Sequence, residues 1–149
     1  MKINIINYSN NYLPEYKTLG SSGMDLQAFL KKNIILKPFE RKLITTGISI
    51  ELPFEYEGQI RSRSGLSLKY GIICLNSPGT IDSDYRGIIN IILINLSSKE
   101  FIIKNGDRIA QIIFSKYKKI KWKIAKKLNK SIRGIKGFGS TGINDKKKL

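Results

Sequence analysis

A chain of 149 residues, 41% of them apolar, has the size of one domain that can bury a core without disulfide or metal staples. The absence of histidine and the single cysteine, Cys74, exclude His-based catalysis, His-liganded metals and an internal disulfide. The net charge of +16 raises a nucleic-acid partner as a question, but thirteen of the 27 basic residues lie in residues 116–149 beside one acid, leaving the preceding chain at only +4.

Residues 1–7 are too short and too quickly polar for a signal peptide, and no apolar run approaches the length of a membrane span, so a soluble cytoplasmic protein is expected. From Leu43 to Leu52 the even positions Ile44, Thr46, Ile48, Ile50 and Leu52 alternate with Thr45, Gly47, Ser49 and Glu51. Phe54, Tyr56, Gly58 and Ile60 alternate with Glu55, Glu57, Gln59 and Arg61, and farther on Ile120, Trp122 and Ile124 alternate with lysines. A period of two predicts half-buried strands with one wet face. Ser64 to Lys69 is the one helical candidate, a short turn opened by a Ser cap. Ile88 to Ile94 and Ile109 to Phe114 are apolar on both faces, which calls for a second sheet or another subunit as cover. Pro14, Pro38, Pro53 and Pro78 fall between the predicted strands. The class is all-β, short strands closed into a sandwich or barrel, with Cys74 read as a small buried hydrophobe.

One stretch stands apart: Gly79-Thr80-Ile81-Asp82-Ser83-Asp84-Tyr85-Arg86-Gly87, set between the apolar runs Tyr70–Leu75 and Ile88–Leu96. Two such runs joined by a Gly- and Asp-bearing connection predict a hairpin. Alternation would point Asp82 and Asp84 to one side, unless the turn breaks it. Taken alone, the stretch also reads simply as turn-forming residues. Past Ile132 the pattern stops, and Arg133 to Gly142 carries four glycines and Phe138 before a charged end. Such a segment cannot bury enough apolar surface to order itself. It reads either as a frayed tail or as a mobile arm, in which Arg133, Ser140 and Thr141 meet phosphate and Phe138 covers a base. Lys, Asn and Ile have AT-rich codons, so drift in coding accounts for the basicity; no specific nucleic-acid partner is expected, although a phosphorylated small ligand would welcome the field.

Five ordered motifs connect these pieces. They are Ser22-Gly23-Met24-Asp25-Leu26, Arg63-Ser64-Gly65-Leu66, the Gly79–Gly87 stretch preceded by Asn76, Gly106-Asp107-Arg108-Ile109-Ala110-Gln111, and the Gly-rich tail. In these motifs, over nearly its whole length, the chain resembles the homotrimeric deoxyuridine triphosphatases (dUTPases). Ser22 replaces an Ala of the family pattern, Ser62 stands where Pro is common, and Lys136 where Gly is usual.

The resemblance implies a jelly-roll β-sandwich over residues 1–132 and a mobile Gly-rich arm over residues 133–149. It implies a trimer that converts dUTP to dUMP and pyrophosphate by in-line water attack at the α-phosphate with Mg2+, keeping uracil out of DNA and supplying dUMP for dTMP synthesis. Carried over residue by residue, Asp82 deprotonates the water and Tyr85 packs against the deoxyribose. Asn76, with the backbone around Thr80, Ile81 and Asn90, reads uracil. Arg63, Ser64, Gly65 and Gln111 hold phosphates, and Asp25 reaches Mg2+ through its water shell. Arg133, Phe138, Gly139, Ser140 and Thr141 close over the γ-phosphate and the base. Asp84 and Asp107 fall to structural roles. Three rivals stand beside this reading. A deoxycytidine triphosphate deaminase needs a carboxylate where this chain has Ile92. A nucleic-acid module would use Lys119, Trp122 and Lys123, and a purely regulatory scaffold would leave an intact set of catalytic positions without use.

Overall fold

A computed structural model describes residues 2–138; Gly139, Ser140 and Thr141 of the expected arm lie outside the described residues. Contacts divide the chain between Lys119 and Ile120, ahead of the boundary expected at Ile132. The first unit holds β1 (Asn4–Asn7), β2 (Gly23–Gln27), β3 (Ile34–Leu36), β4 (Arg41–Thr45), β5 (Ile48–Glu51), β6 (Tyr56–Arg61), α1 (Ser64–Tyr70), β7 (Ile72–Cys74), β8 (Gly79–Ile81), β9 (Asn90–Asn95), β10 (Phe101–Ile103) and β11 (Arg108–Lys116). They form a four-stranded sheet β2-β11-β6-β8, a three-stranded sheet β4-β9-β7, and the pairs β1-β5 and β3-β10. The all-β expectation holds, and all of the pairings are antiparallel.

Burial follows the period of two on β6 and β9, but not on β5, where Ile48, Ser49 and Ile50 are all buried. Leu26, Ile60 and Ile112 from the larger sheet meet Ile44, Ile72, Cys74, Ile91 and Leu93 from the smaller in a single buried cluster. Cys74 is the buried hydrophobe expected of it; burial pushes its thiol up to about 11. On β9 the two-sided apolar run resolves into inward Ile91 and Leu93 and outward, half-buried Ile92 and Ile94. Ile92 stands opposite Leu43, and Ile94 lies between Ile73 and the exposed Arg41, so the outer face of the smaller sheet carries an apolar patch edged by Arg41. On β11 a register shift between Arg108 and Ala110 lets the consecutive Ile109 and Ala110 both face inward.

Several expectations need correction. The alternation from Leu43 to Leu52 covers two strands of different sheets, because the chain turns at Gly47. That residue has φ +68, and a Cβ there would sit 2.8 Å from the Phe29 ring. Phe54 is exposed in a turn, with the Lys119 ammonium 5.0 Å from its ring centre. Arg63 rather than Ser64 is the N-cap residue of α1, and no side chain caps it. In the second unit the described residues 120–138 form neither strand nor helix. The expected strand through Ile120, Trp122 and Ile124 is therefore absent; these side chains are 67%, 89% and 99% exposed. Alternation reports an amphipathic strip but not the surface that covers it. Among the described residues no helix is long and apolar enough to cross a membrane.

Candidate functional site

The first, second and fourth motifs meet at one end of the larger sheet. Asp25 on β2 stands opposite Gln111 on β11, and Gln111 stands opposite Arg61 on β6. Gly23 lies beside them, and a Cβ there would come within 2.6 Å of Gln111 Oε1 and displace that amide. Gln111 Nε2 donates to the Ser62 carbonyl at 3.0 Å. Just beyond, Arg63 donates from Nε to Asp25 Oδ1 at 3.0 Å and from Nη1 to the Arg108 carbonyl at 2.9 Å. Arg108 Nη1 takes the other carboxylate oxygen of Asp25 at 3.2 Å. Ser64 and Gly65 are exposed at the start of α1, and a Cβ on Gly65 would meet nothing within 4 Å, so a ligand can approach that backbone closely. Ser62, where the family pattern favours Pro, is well used: its Oγ accepts Cys74 N–H at 2.9 Å and its own N–H meets Ser77 Oγ.

The third motif is built on the connection between β7 and β9. These strands pair as a hairpin would, but β8 leaves their connection to join β6 in the other sheet. Thr80 and Ile81 are thereby held in a ladder opposite Gln59 and Gly58. Asn76 lies across the gap: its Nδ2 donates to the Asn90 carbonyl at 3.1 Å and its Oδ1 accepts Ile92 N–H at 2.9 Å. Its side chain thus extends the β7-β9 ladder and fixes Asn90. After Ile81 a turn, closed by Tyr85 N–H on the Asp82 carbonyl, breaks the alternation. Asp82 and Asp84 nonetheless line one recess, with Glu57, Ser83, Tyr117 and Lys119. Tyr85 donates its hydroxyl to the Ile88 carbonyl at 3.0 Å. Gly87 makes that fold possible, since a Cβ there would overlap the Tyr85 phenol. Asp107 is a turn carboxylate as expected, accepting Lys104 N–H at 2.7 Å.

The structure does not gather all these residues into one cavity. Asp82 follows Ile81, which pairs with Gly58 near the start of β6, whereas Arg63 lies past the other end of β6. Extended chain from Gly58 to Arg63 covers roughly 17 Å. β2, which carries Asp25, and β8, which leads to Asp82, are moreover the two edges of their sheet. In the second unit, Arg133 Nε donates to the Lys136 carbonyl at 3.0 Å, and Phe138 is exposed. Arg108 is a residue to which sequence reasoning assigned no role, although the fourth motif contains it.

A family model described as dUTPase matches residues 9–142. A deoxyuridine 5'-triphosphate nucleotidohydrolase of Finegoldia magna is 56% identical over 142 residues, spanning 95% of this chain and 99% of that relative. One of Rickettsia canadensis is 58% identical over 131 residues, 88% of each chain. Among solved structures, a point mutant of a Staphylococcus bacteriophage 80alpha dUTPase with dUpNHpp is similar in fold, with a TM-score of 0.81 at 24% identity over 95% of this chain and 99% of that one. A point-mutant dUTPase from phage phi11 of S. aureus, described with the coordination of a structural Mg(II) ion, reaches 0.78 at 20% identity over 87% of this chain and 100% of that one.

Proposed function

The chain belongs to the dUTPase family, and from that membership we propose that it hydrolyses dUTP to dUMP and pyrophosphate in sites shared between the subunits of a homotrimer. The observation that carries the shared site is the separation just described. The phosphate-holding group of Asp25, Arg63 and Gln111 and the base-bearing turn of Asp82 lie at opposite ends of β6. Two subunits side by side can bring one chain's Asp82 to another chain's Arg63. The apolar outer face of Leu43, Ile73, Ile92 and Ile94 supports the same assembly.

In the reaction, Asp82 holds the attacking water and takes its proton as the oxygen adds to the α-phosphorus. The bond to the bridging oxygen breaks, and pyrophosphate leaves. A loose, metaphosphate-like centre needs positioning and charge more than covalent help, so one carboxylate serves as base. Arg63, Ser64, Gly65 and Gln111 hold phosphate oxygens. Uracil is read by the ladder-fixed backbone at Thr80 and Ile81 and by Asn76 and Asn90, whose rigidity supports that role. Tyr85 covers the deoxyribose. Residues 133–149 act as an arm, with Arg133, Phe138, Gly139, Ser140 and Thr141 closing over the γ-phosphate and the base. The protein works in the cytoplasm without a nucleic-acid partner.

Mg2+ fits this donor set in one manner only. Among the described residues no three potential ligands cluster, and both Asp25 oxygens carry arginine bonds. The remaining lone pairs of Asp25 suit the water shell of an ion that keeps its waters. When bound to the triphosphate, Mg2+ offsets its negative charge. The deciding experiment is incubation with dUTP, dCTP and dTTP in Mg2+, with pyrophosphate as readout. Release from dUTP alone is expected, and its absence refutes the activity.

Two further outcomes test the arrangement. Ile91 is fully buried and Ile92 is not, so their lysine variants should part company. Ile91→Lys is expected to prevent folding, since an unpaired buried charge costs about 3–5 kcal/mol. Ile92→Lys should leave a folded chain that sediments as a monomer; a trimeric Ile92→Lys protein removes β9 from the interface. Tyr85→Ala is expected to admit UTP, with a moderate loss of discrimination because a shape-only exclusion rejects a hydroxyl weakly. Gly87→Ala, which displaces the Tyr85 phenol, should move in the same direction; relative kcat/KM for dUTP and UTP reads both. Unchanged ratios would place sugar selection elsewhere.

A further inference from the structure

Arg63 is held at two of its three guanidinium nitrogens by protein: Nε on Asp25 Oδ1 and Nη1 on the Arg108 carbonyl. Among the described residues its Nη2 makes no hydrogen bond, which leaves that nitrogen for a ligand. Asp25 is fixed in turn from its far side, where Arg108 Nη1 binds Oδ2 at 3.2 Å. Arg108 therefore acts on Arg63 twice, through its own backbone carbonyl and through the carboxylate that both guanidinium groups share. The register shift in β11 directly after Arg108 is where this contact is made, at the position opposite Gln27 on the Asp25 strand.

From this chain of contacts we infer that Arg108 is a positioning residue, which aims the Nη2 of Arg63 at the substrate triphosphate by fixing Asp25. The physical reason lies in the side chains. A free arginine loses several rotors on binding a phosphate, whereas one already clamped at Nε and Nη1 loses few. Arg108 is itself half exposed, and an exposed ion pair contributes little to folding. Its value is therefore in orientation rather than in net charge, since the Asp107 carboxylate lines the same recess as Arg63 and Arg108. The arrangement also assigns Asp25 primarily to Arg63, with any Mg2+ water shell left to its remaining lone pairs.

The inference rests on the dUTP reading, and its test keeps the two apart. Binding of dUpNHpp and of deoxyuridine, which has no phosphate, is measured for the unsubstituted protein, Arg63→Met, Arg108→Met and the double variant, with melting temperature as a control. Arg108→Met is expected to weaken dUpNHpp binding about tenfold and to raise KM for dUTP by a similar factor with kcat little changed, the pattern of lost uniform binding. Deoxyuridine affinity should not move. In the Arg63→Met background the Arg108→Met change should add nothing further, and Arg108→Lys, which retains a donor for Oδ2, should recover most of the loss. If Arg108→Met melts early, the same cycle is run with Arg108→Gln. An additive cycle, an unaltered dUpNHpp affinity, a parallel loss of deoxyuridine binding or failure of lysine to rescue each overturns the positioning role. If the unsubstituted protein itself does not bind dUpNHpp, the dUTP reading falls instead.

Discussion

Asp82→Asn is expected to fold, assemble and bind dUTP like the parent while losing turnover by about 10²–10⁴-fold, the usual contribution of a positioned general base. The side chain is well placed for so clean a loss. It is exposed, and among the described residues no hydrogen bond or ion pair involves its carboxylate; only its backbone carbonyl is used, by Tyr85 N–H. An amide of the same shape therefore breaks nothing in the fold, and what it removes is the capacity to take a proton. Asp84 is the necessary control, because it lines the same recess and is equally free of partners among the described residues. Asp84→Asn should turn over at near the parent rate. Single-turnover hydrolysis of dUTP, with dUpNHpp binding measured alongside, separates the outcomes. A normal rate in Asp82→Asn withdraws its role, and loss in Asp84→Asn instead transfers the base to Asp84.

Much of the fold was legible because burial in a sandwich repeats every two residues. The even positions from Ile44 to Leu52 are buried as their spacing foretold, although Gly47 and Ser49 of the expected wet face are buried as well, and the prolines lie in connections. The same pattern is silent about partners. It could not show that Gly47 sends the chain from one sheet to another, nor that β1, short and mostly exposed, is held by pairing with β5. Ile109 and Ala110 read as a two-sided run, whereas a bulge turns both inward. Ile120, Trp122 and Ile124 have the alternation of a strand but lack one. For the site, motifs supplied residue types and order. The knot joining Asp25, Arg63 and Arg108 links three distant segments, and no local pattern encodes it. The fold of Tyr85 onto Ile88, by contrast, is written locally: Gly87 is the only residue type that leaves the phenol room.

A chain ending at Ile132 is expected to fold and to trimerise yet to lose most dUTP hydrolysis. Folding should survive because the buried cluster runs from Leu26 to Ile112, and among the described residues removed none belongs to it. Arg133 and Phe138 are exposed. The residues lost are those suited to a triphosphate, with Arg133, Ser140 and Thr141 for the γ-phosphate and Phe138 for the base. Binding of dUMP, which has no γ-phosphate, should fall little, whereas turnover of dUTP should fall steeply; comparing the two distinguishes an arm from a frayed end. Hybrid trimers then show whose site the arm serves. One chain lacks residues 133–149 but keeps Asp82; the other carries Asp82→Asn with its arm intact. If the arm reaches a site whose base belongs to another subunit, mixing two inactive proteins under conditions of verified exchange should restore part of the activity, since some sites receive Asp82 from one chain and the arm from the other. If each arm folds back onto its own subunit's base, every site lacks one or the other, and the hybrids stay inactive. Undiminished hydrolysis by the truncated chain alone would reduce the Gly-rich segment to a basic tail.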